Sequence, residues 1–186
     1  MMLVESPEQA EIQQVGTRFV ESEGKDPSGL LLIGTIGSGK THYACALINE
    51  LLKRRRSPLY YTAIDLVRNI RASWHSGSEE TEEQAVRRLI LADLLVVDEL
   101  GIQAGTPSEQ ALLMNVVDGR YAQLRPTILI GNVTIHEMTN LLGERVIDRF
   151  KQGGRVLVFD WPSRREHMRP DPDEYEAPVV HRVRVT

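Results

Sequence analysis

The residues best suited to chemistry are Gly34-Thr35-Ile36-Gly37-Ser38-Gly39-Lys40-Thr41, a G-x-x-x-x-G-K-T pattern. An apolar run, Leu30-Leu31-Leu32-Ile33, precedes it, and a helix-compatible stretch opening His42-Tyr43-Ala44-Cys45 follows. Strand, glycine-rich loop, then helix is the context in which this pattern cradles phosphate. Glycines let the backbone curl closely around an anion, so that consecutive N–H groups and the helix N-terminus face it. Lys40 would bridge the β- and γ-phosphates of a nucleotide, and the Thr41 hydroxyl would complete a Mg²⁺ shell. These residues imply nucleotide binding.

Other residues could complete such a site. Leu94-Leu95-Val96-Val97 has the length and continuity of a strand buried on both faces, and it ends in Asp98-Glu99. Asp98 could hold Mg²⁺ through water opposite Thr41, or could be a simple strand-end turn residue. Glu99, beside it, suits a base or water-orienting group at the γ-phosphate, the alternative being plain surface acidity. Asn132 also ends an apolar strand, Pro126-Thr127-Ile128-Leu129-Ile130 followed by Gly131. If that strand lies beside the phosphate-loop strand, the Asn132 amide could contact the attacking water or the γ-phosphate; otherwise it shapes a turn. Arg145 and Arg149 lie four apart on a short helix and could reach a neighbour's nucleotide as an arginine finger. Paired to Glu144 and Asp148 they would be ordinary surface charges.

The elements that must position these groups alternate along the chain. A helix is expected over 5–22, entered at Ser6-Pro7, and the helix after Thr41 runs to about Lys53. Lys53-Arg54-Arg55-Arg56 complements the negative end of its dipole, or forms a phosphate-contact patch. Leu59-Tyr60-Tyr61-Thr62 reads as a strand, and 64–74 as a helix apolar at Ile64, Val67, Ile70 and Trp74. Thr81-x-x-Gln84 and Thr134-x-x-Glu137 are possible capping boxes, the second opening a helix that ends at Gly143. A strong helix covers 108–123, entered through Pro107-Ser108, a short one begins at Glu144, and Arg155-Val156-Leu157-Val158-Phe159 is the last strand. The alternation gives a mostly parallel sheet covered on both faces. From Pro162 onward, prolines and charge make a tail that need not fold.

At 186 residues the chain suits one α/β domain with extensions, and its net charge of −4 excludes a generally basic nucleic-acid coat. The single cysteine, Cys45, excludes an internal disulfide and a zinc cluster. It is expected as a packed core thiol on the apolar side of its helix, a redox sensor being the remote alternative. With no apolar run near 18 residues and no signal-like N-terminus, the expected location is the cytoplasm, bacterial or of a phage-infected host, with no membrane partner.

These residues resemble the AAA+ ATPase domain of bacterial replicative helicase loaders, the DnaC family, to which the IstB transposition helpers are related. The resemblance rests on the phosphate loop continuing into Thr41-His42, on Leu94-Leu95-Val96-Val97-Asp98-Glu99-Leu100-Gly101, and on Gly131-Asn132. Its most specific stretch is Met138-Thr139-Asn140-Leu141-Leu142-Gly143-Glu144-Arg145-Val146-Ile147-Asp148-Arg149, which is closer to the loaders. It covers about residues 8 to 165.

The resemblance implies an α/β P-loop NTPase of the AAA+ (ASCE) type, with a five-stranded mostly parallel sheet between helices and a much reduced C-terminal lid. Residues 1–29 would lead into an ATPase core over 30–165, with 166–186 as the tail. It implies ATP and Mg²⁺ as cofactors, with Gly34, Gly37, Ser38, Gly39, Lys40, Thr41 and His42 on the nucleotide and Thr41 and Asp98 on the metal. Glu99 completes the acidic pair, Asn132 is the sensor, and Arg149, ahead of Arg145, is the trans-acting finger. Arg165 falls where the family has a second-sensor arginine. Arg71 and Trp74 fall on a single-stranded DNA path in the insertion over 64–82. The implied partners are a replicative DNA helicase, single-stranded DNA and further copies of the chain. The short segment before Leu30 departs from the family, whose loaders carry a helicase-gripping N-terminal domain. Rival readings are an IstB-like transposition ATPase, a small-molecule P-loop kinase and a non-catalytic ATP-regulated adaptor.

Overall fold

The computed structural model describes residues 6–22, 29–75, 77–101, 106–152 and 154–163. Arg165 and the tail lie outside the described residues. The elements are α1 (Pro7–Glu21), β1 (Leu30–Gly34), α2 (Lys40–Lys53), β2 (Pro58–Thr62), α3 (Ala63–Ala72) and α4 (Glu82–Leu91). They continue as β3 (Leu94–Leu100), α5 (Pro107–Ala122), β4 (Thr127–Gly131), α6 (Ile135–Leu142), α7 (Glu144–Gln152) and β5 (Arg155–Phe159).

Local chemistry sets most boundaries. Ser6 caps α1 by accepting from the Gln9 N–H, with proline following at the first turn. Both expected capping boxes form, at Thr81/Gln84 and Thr134/Glu137. A third, Thr106/Glu109, fixes the entry of α5. Pro107 takes a first-turn position, where its missing N–H costs nothing.

The described strands form one sheet in the order β2-β3-β4-β1-β5, and every pairing is parallel. Strand alternation sends one set of side chains to each face. Leu30, Leu32, Leu94, Val96, Ile128, Ile130, Leu157 and Phe159 pack under α1 and α2. Leu31, Ile33, Leu95, Val97 and Leu129 pack under α3 to α7. Both faces are therefore dry, which explains why the strands read as continuous apolar runs. The N-terminal helix belongs to the first layer: Ile12, Phe19 and Val20 are buried there, and the Tyr43 hydroxyl donates to the Ile12 carbonyl at 2.7 Å.

The core is closed at one point by a charge. Arg120 of α5 is fully buried, and its guanidinium donates to the carbonyls of Leu89, Ile90, Ala92 and Pro126 and to Thr127 Oγ1, at 2.6–3.0 Å. It satisfies the carbonyls at the end of α4, which the helix cannot bond itself.

Two expectations are corrected. Cys45 is exposed, not a packed core thiol. The buried stripe of α2 runs through Tyr43, Ala44, Leu47 and Leu51, whereas Cys45 lies one turn after exposed Thr41 and shares its face. Trp74 stands beyond the end of α3 and is 54% exposed, rather than completing the apolar stripe expected for a helix over 64–74. The basic run after α2 is mostly engaged at the helix end: Lys53 pairs with Glu50, and Arg54 donates to the Val20 carbonyl.

Candidate functional site

The parallel sheet brings the C-terminal ends of β1, β3 and β4 to one edge, so the loops that follow them converge. The loop after β1 starts at Gly34 with φ +129°, beside β5. A Cβ there would collide with the Phe159 backbone, so only glycine fits. Gly39, at φ +98°, occupies the N-cap of α2 with no side-chain cap. The first-turn N–H groups of α2 are thus left for an anion.

Lys40 is 4% exposed. Its ammonium donates to the Gly34 and Thr35 carbonyls at 3.0 and 2.6 Å and to Ser38 Oγ at 3.3 Å. Burial pushes its pKa down, while the charge of Asp98 opposes that shift. The segment after β5 straps the loop from outside. Trp161 Nε1 donates to the Ser38 carbonyl at 2.8 Å, and Thr35 Oγ1 donates to the Trp161 carbonyl at 3.1 Å. The Trp161 ring packs 4.9 Å from Phe159, which in turn meets Tyr43 of α2.

Asp98, 4% exposed on β3, faces α2. Its Oδ2 accepts from Thr41 Oγ1 at 2.7 Å and from the Tyr60 hydroxyl at 2.8 Å. Its Oδ1 accepts from the Glu99 N–H at 2.6 Å. A buried carboxylate with a threonine hydroxyl against it is a donor set that fits Mg²⁺, which takes one or two protein oxygens alongside phosphate and water. Glu99 sits at φ +62°, where the register of β3 against β4 breaks between Val97 and Leu100. A left-handed non-glycine residue costs about 1–2 kcal/mol, and such bulges re-aim side chains near active sites. Here the break turns Glu99 to the surface, at the mouth of a cavity of about 220 Å³ that Arg68, Arg71 and Glu109 also line.

Asn132 follows β4 directly and is exposed. Residues Ile128 to Gly131 pair in register with Leu30 to Ile33, so Asn132 stands at the strand end next to the phosphate loop. His42 is exposed on α2 and lines the groove against α1 with Gln13 and Cys45.

Arg71 donates to Glu109 Oε1 at 2.8 Å and to Ser108 Oγ at 3.3 Å, and lies 5.7 Å from the Trp74 ring. The Trp74 indole donates to Glu82 at 2.5 Å. Arg145 is exposed on α7. Arg149 is less exposed: it pairs with Asp118 of α5, rather than Glu144 or Asp148, and stacks 4.1 Å over Tyr121.

Sequence reasoning missed Tyr60 and the loop-binding role of Trp161. Tyr60 shares a face with Asp98 only because β2 pairs with β3 in one register, and no spacing in the chain announces that.

A phosphate loop, a buried aspartate against its threonine, a following glutamate and a 2-3-4-1-5 parallel sheet define an ATP-binding domain of the AAA+ type. The profile of the family described as "IstB-like ATP binding protein" matches residues 7–153. The chain is 34% identical over 169 residues to the replicative helicase loader DnaC of Buchnera aphidicola subsp. Schizaphis graminum, covering 90% of this chain and 69% of the relative. It is 36% identical over 152 residues to that of Escherichia coli K12, covering 81% of this chain and 62% of the relative. The chain belongs to this family of IstB-like, DnaC-type ATP-binding proteins. It spans about two thirds or less of the length of these relatives. A crystal structure of the DnaC helicase loader superposes with a TM-score of 0.74 at 20% identity, over 86% of this chain and 94% of that one, which is a likeness of fold. Among the described residues, no helix is long and apolar enough to cross a membrane.

Proposed function

We propose that this chain is a Mg²⁺-dependent ATPase that self-associates through its nucleotide site, binds single-stranded DNA and assists the loading of a replicative DNA helicase. The observation that carries the ATPase reading is the contact of Thr41 with Asp98, with Glu99 turned outward on the next residue. The loader reading is supported by relatives whose names describe replicative helicase loaders.

In this reading the loop N–H groups and Lys40 bind the phosphates, and Lys40 exchanges its carbonyl partners for phosphate oxygens. Thr41 and Asp98 would hold Mg²⁺, which when bound neutralises charge on the phosphate oxygens. Glu99 orients or deprotonates the attacking water, and Asn132 holds that water or the γ-phosphate from the neighbouring strand end. The finger comes from a second copy. Arg145 is exposed for that task, whereas Arg149 must first leave Asp118 and Tyr121. Arg71 and the exposed Trp74 ring supply a cation for phosphate and a face for base stacking.

The test is ATP turnover against protein concentration, with and without single-stranded DNA. Turnover should rise more steeply than linearly with concentration and increase with DNA. Trp74→Ala should weaken DNA binding by about 1–3 kcal/mol, roughly 5- to 150-fold. Flat, DNA-blind turnover would overturn the loader reading. Because the matching family is described as IstB-like, a transposition ATPase is the second reading, and a preference for duplex over single-stranded DNA would favour it.

A further inference from the structure

Asp98 accepts a side-chain hydrogen bond that the proposed chemistry does not use. Alternation along β3 puts Leu94, Val96 and Asp98 on the face covered by α2, and the register Tyr60↔Val96 puts Tyr60 on the same face of β2. Tyr60 is therefore the diagonal neighbour of Asp98, one strand over and two residues back. A phenol can span that offset, and its hydroxyl donates to Asp98 Oδ2 at 2.8 Å. The same oxygen accepts from Thr41 at 2.7 Å, so one carboxylate oxygen joins β2, β3 and the first turn of α2. Tyr60 is an edge-strand residue and 40% exposed, which is more than packing alone requires of an aromatic ring. The neighbouring aromatic, Tyr61, points to the opposite face and packs against the other core layer.

We propose that Tyr60 is a positioning residue for the magnesium site, holding the Asp98 carboxylate in the orientation that places an oxygen toward Thr41. The inference rests on the reading that Thr41 and Asp98 hold Mg²⁺. A carboxylate that meets a metal through one oxygen or through water needs its torsion fixed by other donors, and such outer partners typically matter about 10- to 100-fold in metal affinity. Two donors act on Asp98 without belonging to the phosphate loop: the Glu99 N–H on Oδ1 and the Tyr60 hydroxyl on Oδ2. Only the second is a side chain, so only it can be removed without touching the backbone.

The experiment measures anisotropy of a fluorescent ATP analogue on the full chain, across a Mg²⁺ titration and separately in EDTA. Tyr60→Phe deletes the hydroxyl and keeps the ring. The Mg²⁺ concentration needed for half-maximal tightening should rise about tenfold, with affinity in EDTA unchanged. Tyr61→Phe should leave both readouts unmoved. An unshifted Mg²⁺ requirement in Tyr60→Phe, or an equal loss in EDTA, overturns the proposal. Asp98→Asn separates the two levels. If it shifts the Mg²⁺ requirement and Tyr60→Phe does not, only the role of Tyr60 fails; if it shifts nothing, the metal reading and the Tyr60 proposal fail together.

Discussion

The two faces of the sheet hold their charges in opposite ways. On the α2 face, Lys40 and Asp98 are almost fully buried, and each is satisfied by groups of the loop, its helix or the adjoining strands. On the other face, Arg145 is exposed while Arg71 and Arg149 are partly covered, and these two pair with side chains of α5. A buried charge must be answered within the chain, because leaving it unpaired costs several kcal/mol. A surface ion pair contributes about 1 kcal/mol or less and can be exchanged for another partner. The first region thus answers its charges within the loop, its helix and the adjoining strands, and the second holds pairs that can be exchanged for other partners.

The most damaging change on the α2 face is at the loop. Lys40→Ala removes three charge-assisted hydrogen bonds and the cation for phosphate, and should weaken binding of a fluorescent ATP analogue by at least about a hundredfold. Glu99→Gln should bind the analogue normally while turnover falls about 10²- to 10⁴-fold. Undiminished turnover would remove Glu99 from the mechanism.

Stability discriminates between a fully buried arginine and a partly covered one. Arg120→Met keeps bulk but removes a donor from four carbonyls, and should lower the unfolding free energy in urea by about 3 kcal/mol or more. A near-neutral result would mean that the α4 end recruits water instead.

Arg149→Ala loses an ion pair and a stacking contact at a partly covered site, and should destabilise by about 1–2 kcal/mol. Its larger effect should fall on concentration-dependent turnover, measured beside Arg145→Ala. The variant that loses this stimulation identifies the finger. Loss in both means that α7 acts as one surface, and loss in neither breaks the contrast between the two faces.

Much of this organisation was legible before any coordinates. Capping boxes at Thr81 and Thr134 announced helix starts because a cap and its third residue are local partners. The contact of Thr41 with Asp98 was also foreseeable, because a phosphate loop and a strand-end aspartate have few ways to meet in a parallel sheet. Cys45 was misjudged because helical spacing tells which residues share a stripe, but not how wide the covered stripe will be. For Arg149, helical spacing offers Glu144 and Asp148 as alternative ion-pair partners, while the fold supplies Asp118 of α5.

What the sequence determined by itself, then, was the list of parts: alternating elements, the phosphate loop, the acidic pair, and two arginines four apart. These follow from interactions a few residues long, where type and spacing suffice. Only the tertiary structure decided who meets whom across strands and helices. It set Tyr60 on Asp98, Trp161 on the phosphate loop, Arg120 on the end of α4 and Arg149 on α5. Those pairings depend on strand register and helix packing, which buried area over the whole chain selects and no local spacing encodes.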